Sequence, residues 1–233
     1  MINRSRFGLG IVIGLQLASL ALAGDVSGKV AYLGAPPKPV RLIITGDAVC
    51  LRSHKSPLYG EDVVVNANGT LKNVVISVKE GLAGKSFSPP SNHVVLEQRG
   101  CQYIPHVVAL QVRQALDVVN DDATLHNVHG LASQNPPFNF AQVKQGQRQA
   151  KTFERAEIFR VKCDVHSWMA AYVCVLDNPY FAITGDDGTF TLKDLPPGDY
   201  TLEAWHEKYG TQTVKVKVGV GGKVKADFSF PGK

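Results

Sequence analysis

Sulfur is scarce in this chain, with four cysteines and two methionines among 233 residues. That is far too little for a disulfide-dense secreted scaffold, so the fold must rest on a packed core. No Cys-x-x-Cys-His occurs, which excludes the usual covalent haem attachment. There is no obvious run of basic residues, and 25 basic residues stand against 20 acidic ones. This balance excludes a nucleic-acid binder that grips its partner through a basic face. No long segment places apolar residues at helical spacing, and there is no internal repeat or low-complexity tract. Helical bundles and solenoids are therefore excluded as well.

The start, MINRSRFGLGIVIGLQLASLALAGD, has a basic beginning (Arg4, Arg6) and an apolar run over residues 7–23 that ends in Ala-Leu-Ala. That is the shape of a secretory signal, residues 1–23, with cleavage before Gly24. A retained anchor is the other reading; the run is short, interrupted by glycine and followed by no basic stop. No stable membrane anchor is expected after cleavage, and the mature protein would be periplasmic or secreted. Without Arg4 and Arg6, 23 basic residues face 20 acidic ones. Export lets disulfides persist, and Cys50, Cys101, Cys163 and Cys174 allow three full pairings.

The remainder is written in short β-branched runs broken by Gly, Pro, Asn and Asp, such as VRLII (40–44), VVISV (74–78) and VVALQV (107–112). VKVKV (214–218) alternates strictly, as a half-buried strand does. Turn signals stand at Asn68-Gly69, Asp187-Gly188 and Gly221-Gly222. The expected class is all-β. Three sections differ in texture, at residues 24–84, 92–178 and 179–233.

The last section contains TGDDGTF (184–190) and LPPGDY (195–200). On these residues it resembles the carboxypeptidase regulatory-like, or transthyretin-like, β-sandwich. Such domains begin with strands like VSGKVAYLG and LKNVVISVKEG, which here lie upstream at 26–34 and 71–81. One economical arrangement is a discontinuous sandwich with the middle section inserted into it; two separate sandwiches in sequence is the other.

The scarce sulfur is concentrated in one place. VKCDVHSWMA (161–170) sets Cys163, His166 and Met169 three residues apart each time, and DDATLHNVHG (121–130) supplies His126 and His129 upstream. Two imidazoles, a thiolate and a thioether suit copper in a His2Cys site with a weak axial Met. A structural zinc site would use His and Cys without Met. A binuclear copper centre would want a second cysteine beside Cys163, and a Cys/His protease would need an orienting third group.

On these residues the middle section resembles the cupredoxins, with the short ligand loop of the amicyanin-like members. The resemblance covers the strand pair ending in LDVVN (116–120), the HNVH tetrad (126–129) and the Cys163, His166, Met169 loop. It implies a Greek-key β-sandwich with His126, Cys163, His166 and Met169 as ligands of one type 1 copper. Asn127 would steady the ligand loops by hydrogen bonds near the thiolate. Ser167-Trp168 stands where amicyanin-like loops tend to place a proline. With Cys163 a ligand, a Cys50–Cys101 disulfide is the simpler pairing and Cys174 a buried free thiol; a Cys163–Cys174 bridge would abolish the site.

Weaker signals surround this set. His129 is a second-layer or surface group, or a rival to His126. Trp168 is a candidate docking patch for a partner, or ordinary packing. His54 and His106, each near a cysteine, raise the thought of a second metal site. His206 reads as a strand-end surface residue, and Asp186, Asp187 and Asp194 as turn chemistry rather than a calcium loop. The expectation is an exported protein that moves single electrons between a redox donor and an acceptor protein, with no catalysis of its own. The alternative is a non-catalytic binding or adhesion module whose metal site is structural or empty.

Overall fold

The computed structural model describes residues 22–232, so most of the expected signal segment, 1–23, lies outside the described residues. In chain order the elements begin with β1 (Gly24–Leu33), α1 (Ala48–Ser53), β2 (Val75–Glu80), β3 (Val94–Gln98) and β4 (Tyr103–Ile104). There follow β5 (Val107–Gln111), β6 (Leu116–Asn120), β7 (His126–Gly130), β8 (Phe138–Gln142) and β9 (Arg148–Lys151). Next come β10 (Glu157–Lys162), β11 (Ala170–Leu176), β12 (Phe181–Ile183) and β13 (Thr189–Leu195). The last are β14 (Gly198–His206), β15 (Gly210–Val218), β16 (Lys223–Lys225) and β17 (Phe228–Pro231).

The architecture is all-β, in two sandwiches. The middle section supplies both sheets of the first, in the orders β5-β11-β10-β7-β8 and β4-β3-β6-β9. Their inner faces close on Leu96, Leu110, Val118, Val128, Val161 and Val173, all buried. The second sandwich draws on both ends of the chain. β1 pairs antiparallel with β13 and parallel with β16 and β17, while β2 lies between β12 and β14 in a sheet edged by β15. Val30, Ile76, Leu192, Leu202 and Phe230 fill its core. The sandwich is thus discontinuous. Gly28 allows the tight crossing at β1, because a Cβ there would stand 1.7 Å from the Ala226 carbonyl oxygen.

Strand periodicity explains how the two units meet. In β11, Ala171, Val173 and Val175 face the first core, while Tyr172, Cys174 and Leu176 point the other way. That second face packs with Val75, Val107, Ile183 and Trp205, so β11 is apolar on both sides. Tyr172 and Trp205 bring their rings to 5.2 Å between centroids across this seam. The buried Cys174 thiol stays free, its pKa raised by burial alone.

Two expectations are corrected. Residues 24–84 do not all join the second sandwich: Cys50 is part of the first core and Ile44 packs against it, so the stretch around α1 lies over the middle section. His206 is not a surface residue but 1% exposed, stacked near Tyr209 and Phe230, with Nδ1 accepting the Lys208 N–H at 3.1 Å. The alternation of β14 turns it inward with Tyr200, Leu202 and Ala204.

Burial, followed by the nearby His106, pushes the His206 pKa from 6.5 down to about 4. The neutral ring is therefore favoured by folding: its contribution is complete above about pH 6.5 and is lost as pH falls toward 4. The urea-unfolding free energy of His206→Phe is expected to fall less over that window than that of the unsubstituted chain, by roughly 3 kcal/mol for a shift of this size. Equal pH slopes would show that His206 is not held neutral.

Candidate metal centre

The site stands at one end of the first sandwich. Lys162 at the end of β10 pairs with His129 of β7, and the chain then leaves the sheet to form the loop between β10 and β11. That loop is closed on itself, with Cys163 N–H donating to the Met169 carbonyl (3.1 Å) and Met169 N–H to the His166 carbonyl (2.9 Å). Its spacing thereby becomes a small enclosure. His126 opens β7, and the Asn120 side-chain amide donates to the carbonyls of Thr124 (2.9 Å) and Gln142 (3.0 Å), fixing the turn before it. His126 and His129 are three apart on a strand and so face opposite ways. His126 is buried in the cluster; His129 points outward to Asp164, 2.9 Å away.

His126, Cys163 and His166 bring one ligand atom each within 4.8 Å of one another. The two Nδ1 atoms are 3.0 Å apart, and Cys163 Sγ lies 3.7 Å from His166 Nδ1. All three side chains and Met169 are at most 2% exposed. Each outer imidazole nitrogen faces a carboxylate. His126 Nε2 is 2.8 Å from Asp122 Oδ2, and His166 Nε2 is 3.5 Å from Asp47 Oδ2. A carboxylate at Nε2 favours the proton there and leaves the Nδ1 lone pair for a metal.

The protonation pattern fits such a cavity. Burial opposes charge on His126, yet the Asp122 hydrogen bond and Cys163 raise its pKa above the ordinary value. Burial and then the neighbouring His126 lower that of His166. Burial works against ionising Cys163, but hydrogen bonds from His126 and from the backbone of Asn127 and His166 outweigh it and lower its pKa. These shifts favour the charged forms of Cys163 and His126 and the neutral form of His166 within one enclosure. The donors match the soft-and-borderline set that suits both oxidation states of copper. His126, Cys163 and His166 would hold the ion, with Met169 beside them.

Asn127 braces this arrangement. Its backbone N–H points at Cys163 Sγ (3.4 Å), and its Oδ1 accepts the Asp164 N–H (3.0 Å), tying β7 to the ligand loop. Trp168 is half-buried, its ring centroid 5.0 Å from that of His166 and its Nε1 donating to the Cys101 carbonyl at 3.0 Å. Its ring forms a wall of the site, and the residue also lines an open groove with Tyr103, His106 and Tyr172.

Sequence reasoning missed the cover over His166. Cys50 and Cys101 form a disulfide, and Cys50 Sγ is 3.7 Å from His166 Nε2. Asp47 caps α1 by accepting the N–H groups of Val49 (2.7 Å) and Cys50 (3.0 Å), while its other oxygen takes the Thr124 hydroxyl at 2.6 Å. The Thr124 bond, with the backbone donors and His166, holds its pKa at about 2. Asp122 accepts the N–H groups of Gly100 and Cys101 as well as His126. The available signal was the Asp47-Ala48-Val49-Cys50 start of a helix. His54 meets the Gly100 carbonyl and His106 pairs with Glu207, so these two do not form a second metal site together.

Residues 170–231 match the carboxypeptidase regulatory-like domain family, a span that begins with β11 and runs through the C-terminal strands. No curated protein matches the chain. Solved structures with partial similarity include the Cu-containing nitrite reductase (NirK) from Thermus scotoductus SA-01, at 22% identity and a TM-score of 0.35. That similarity covers 41% of this chain and 24% of the reductase, so the matched part spans about a quarter of its length. A reduced amicyanin mutant is 21% identical over 43% of this chain and 97% of its own, with a TM-score of 0.33. A purple cupredoxin from Nitrosopumilus maritimus is 20% identical over 36% and 99%, with a TM-score of 0.31.

Asp47→Asn separates the two roles of Asp47, since Asn caps a helix as well as Asp but carries no charge. The fold should persist by circular dichroism while copper affinity in a competition titration falls by about tenfold or more, the usual cost of losing a carboxylate behind a ligand histidine. Unchanged affinity would show that Asp47 serves only the helix.

Proposed function

We propose that this chain is an exported copper protein that passes single electrons between a redox donor and an acceptor protein. The observation that carries the reading is the convergence of two Nδ1 atoms and one Sγ in a buried enclosure, with Met169 in the same loop. Bound copper would supply a centre that cycles between Cu(II) and Cu(I). The chain's own part is to keep that cycle free of rearrangement. The sheet ends fix Cys163 and His126, the Asn127 bridge fixes one loop to the other, and Asp122 and Asp47 hold the imidazoles at their outer nitrogens.

Burial of all four donors favours electron passage over substrate chemistry, so the chain is read as carrying no catalysis of its own. Export is supported by the form of residues 1–23 and by the disulfide. No helix among the described residues is long and apolar enough to cross a membrane.

Copper loading of the mature protein should give an intense visible thiolate-to-copper absorption and an EPR spectrum with narrow copper hyperfine splitting. Both should be absent from Cys163→Ser. A colourless protein, or a band that survives the substitution, would refute the assignment.

A further inference from the structure

The stretch that covers His166 has an outer face that copper binding does not explain. Residues 35–60 carry Lys38, Arg41, Arg52 and Lys55 against a single acid, Asp47. All four cations are exposed, whereas the carboxylate of Asp47 bonds to Thr124 and the first turn of α1. Of the eleven large hydrophobics exposed among the described residues, four lie in this stretch: Val40 (65%), Ile43 (67%), Leu51 (55%) and Tyr59 (49%). A groove of about 320 Å3 runs among Arg41, Ile43, Leu51, His54, Lys55 and Pro57, and no acid lines it.

Single exposed apolar side chains need no explanation, but a cluster with a rim of one charge has the anatomy of a docking site. The groove is also rigidly backed. α1 forms part of its wall, and α1 is held by the Cys50–Cys101 bond and the Asp47–Thr124 hydrogen bond. A preorganised surface loses little freedom when a partner settles on it. The same wall carries Cys50, whose sulfur touches the outer edge of His166. A protein seated in the groove is therefore separated from a ligand imidazole by this wall.

We propose that the groove over α1 is the docking surface for an acidic electron-transfer protein. Basic rim and acidic partner steer the encounter, Ile43 and Leu51 supply the apolar contact, and α1 with Cys50 is the layer the electron crosses to reach His166. One electron leaves the reduced partner and one copper ion is reduced; no bond is made or broken. The electron step rests on the copper reading above, whereas the docking does not.

The test uses an acidic monohaem c-type cytochrome as probe. Visible absorption of each copper-loaded variant is recorded first, then the second-order rate of cytochrome oxidation by stopped flow at low and high salt. The rate should fall with salt. Arg41→Glu with Lys55→Glu should lower it by about tenfold or more and flatten the salt dependence. Ile43→Ser with Leu51→Ser should lower it while keeping the salt dependence, and Lys215→Glu with Lys217→Glu on β15 should leave it unchanged. If no variant takes up copper, the copper reading fails alone, and calorimetric titration of metal-free protein with the same cytochrome still tests the groove, with loss of binding expected for Arg41→Glu with Lys55→Glu. Equal rates or affinities for that pair and the unsubstituted protein would overturn the proposal, as would an equal loss from the β15 pair. A dimer that Ile43→Ser with Leu51→Ser dissolves would make the occupant a second copy. Charge-dependent binding to phosphatidylglycerol vesicles with an unchanged cytochrome rate would make it a membrane surface. Either result overturns the acidic partner.

Discussion

Two imidazole nitrogens 3.0 Å apart beside a thiol are the constraint on which the rest of this structure depends. Lone pairs brought together in a dry cavity repel unless a proton or a cation stands among them. The chain answers with two carboxylates behind the rings and with a thiol whose ionisation is favoured by the backbone N–H groups of Asn127 and His166. The Asp122 carboxylate and Cys163 favour a proton on His126 against the opposing effect of burial. Copper binding would require deprotonated donors here, so its affinity would depend on pH.

That cluster explains why the first sandwich is braced where it is. The Asn120 amide fixes the turn before His126, and the loop from Cys163 to Met169 closes on its own backbone. The cover comes from farther away. A disulfide spanning 51 residues anchors α1 beside His166, a tie of a kind that typically contributes about 2 to 4 kcal/mol. Asp47 is the hinge of this arrangement in chemical terms, since one carboxylate caps the helix, takes the Thr124 hydroxyl and faces the ligand imidazole. The second sandwich grips the outer face of β11, the strand that follows Met169.

Much of this was legible in the residues themselves. The three-residue spacing of Cys163, His166 and Met169 is a local feature, and the resemblance to the cupredoxins singled out His126 over His129. The alternation in β15 could likewise be read from pattern, whereas the upstream strands of the second sandwich came from the family resemblance. What could not be read was non-local. The expected Cys50–Cys101 pairing is found, with Cys174 free, but α1, six residues long, is too short for helical periodicity to reveal it. The position of α1 over the site follows from Cys101 and Thr124, far along the chain. His206 was misplaced because a histidine near a turn reads as surface, whereas the inward register of β14 and the rings of Tyr209 and Phe230 bury it.

On this reading Cys163, His126 and His166 hold one copper ion together. X-ray absorption at the copper edge of the loaded mature protein tests it most directly. One sulfur scatterer at short distance and two imidazole nitrogens are expected, with the sulfur lost in Cys163→Ser. A copper shell of nitrogen and oxygen alone in the unsubstituted protein would contradict it.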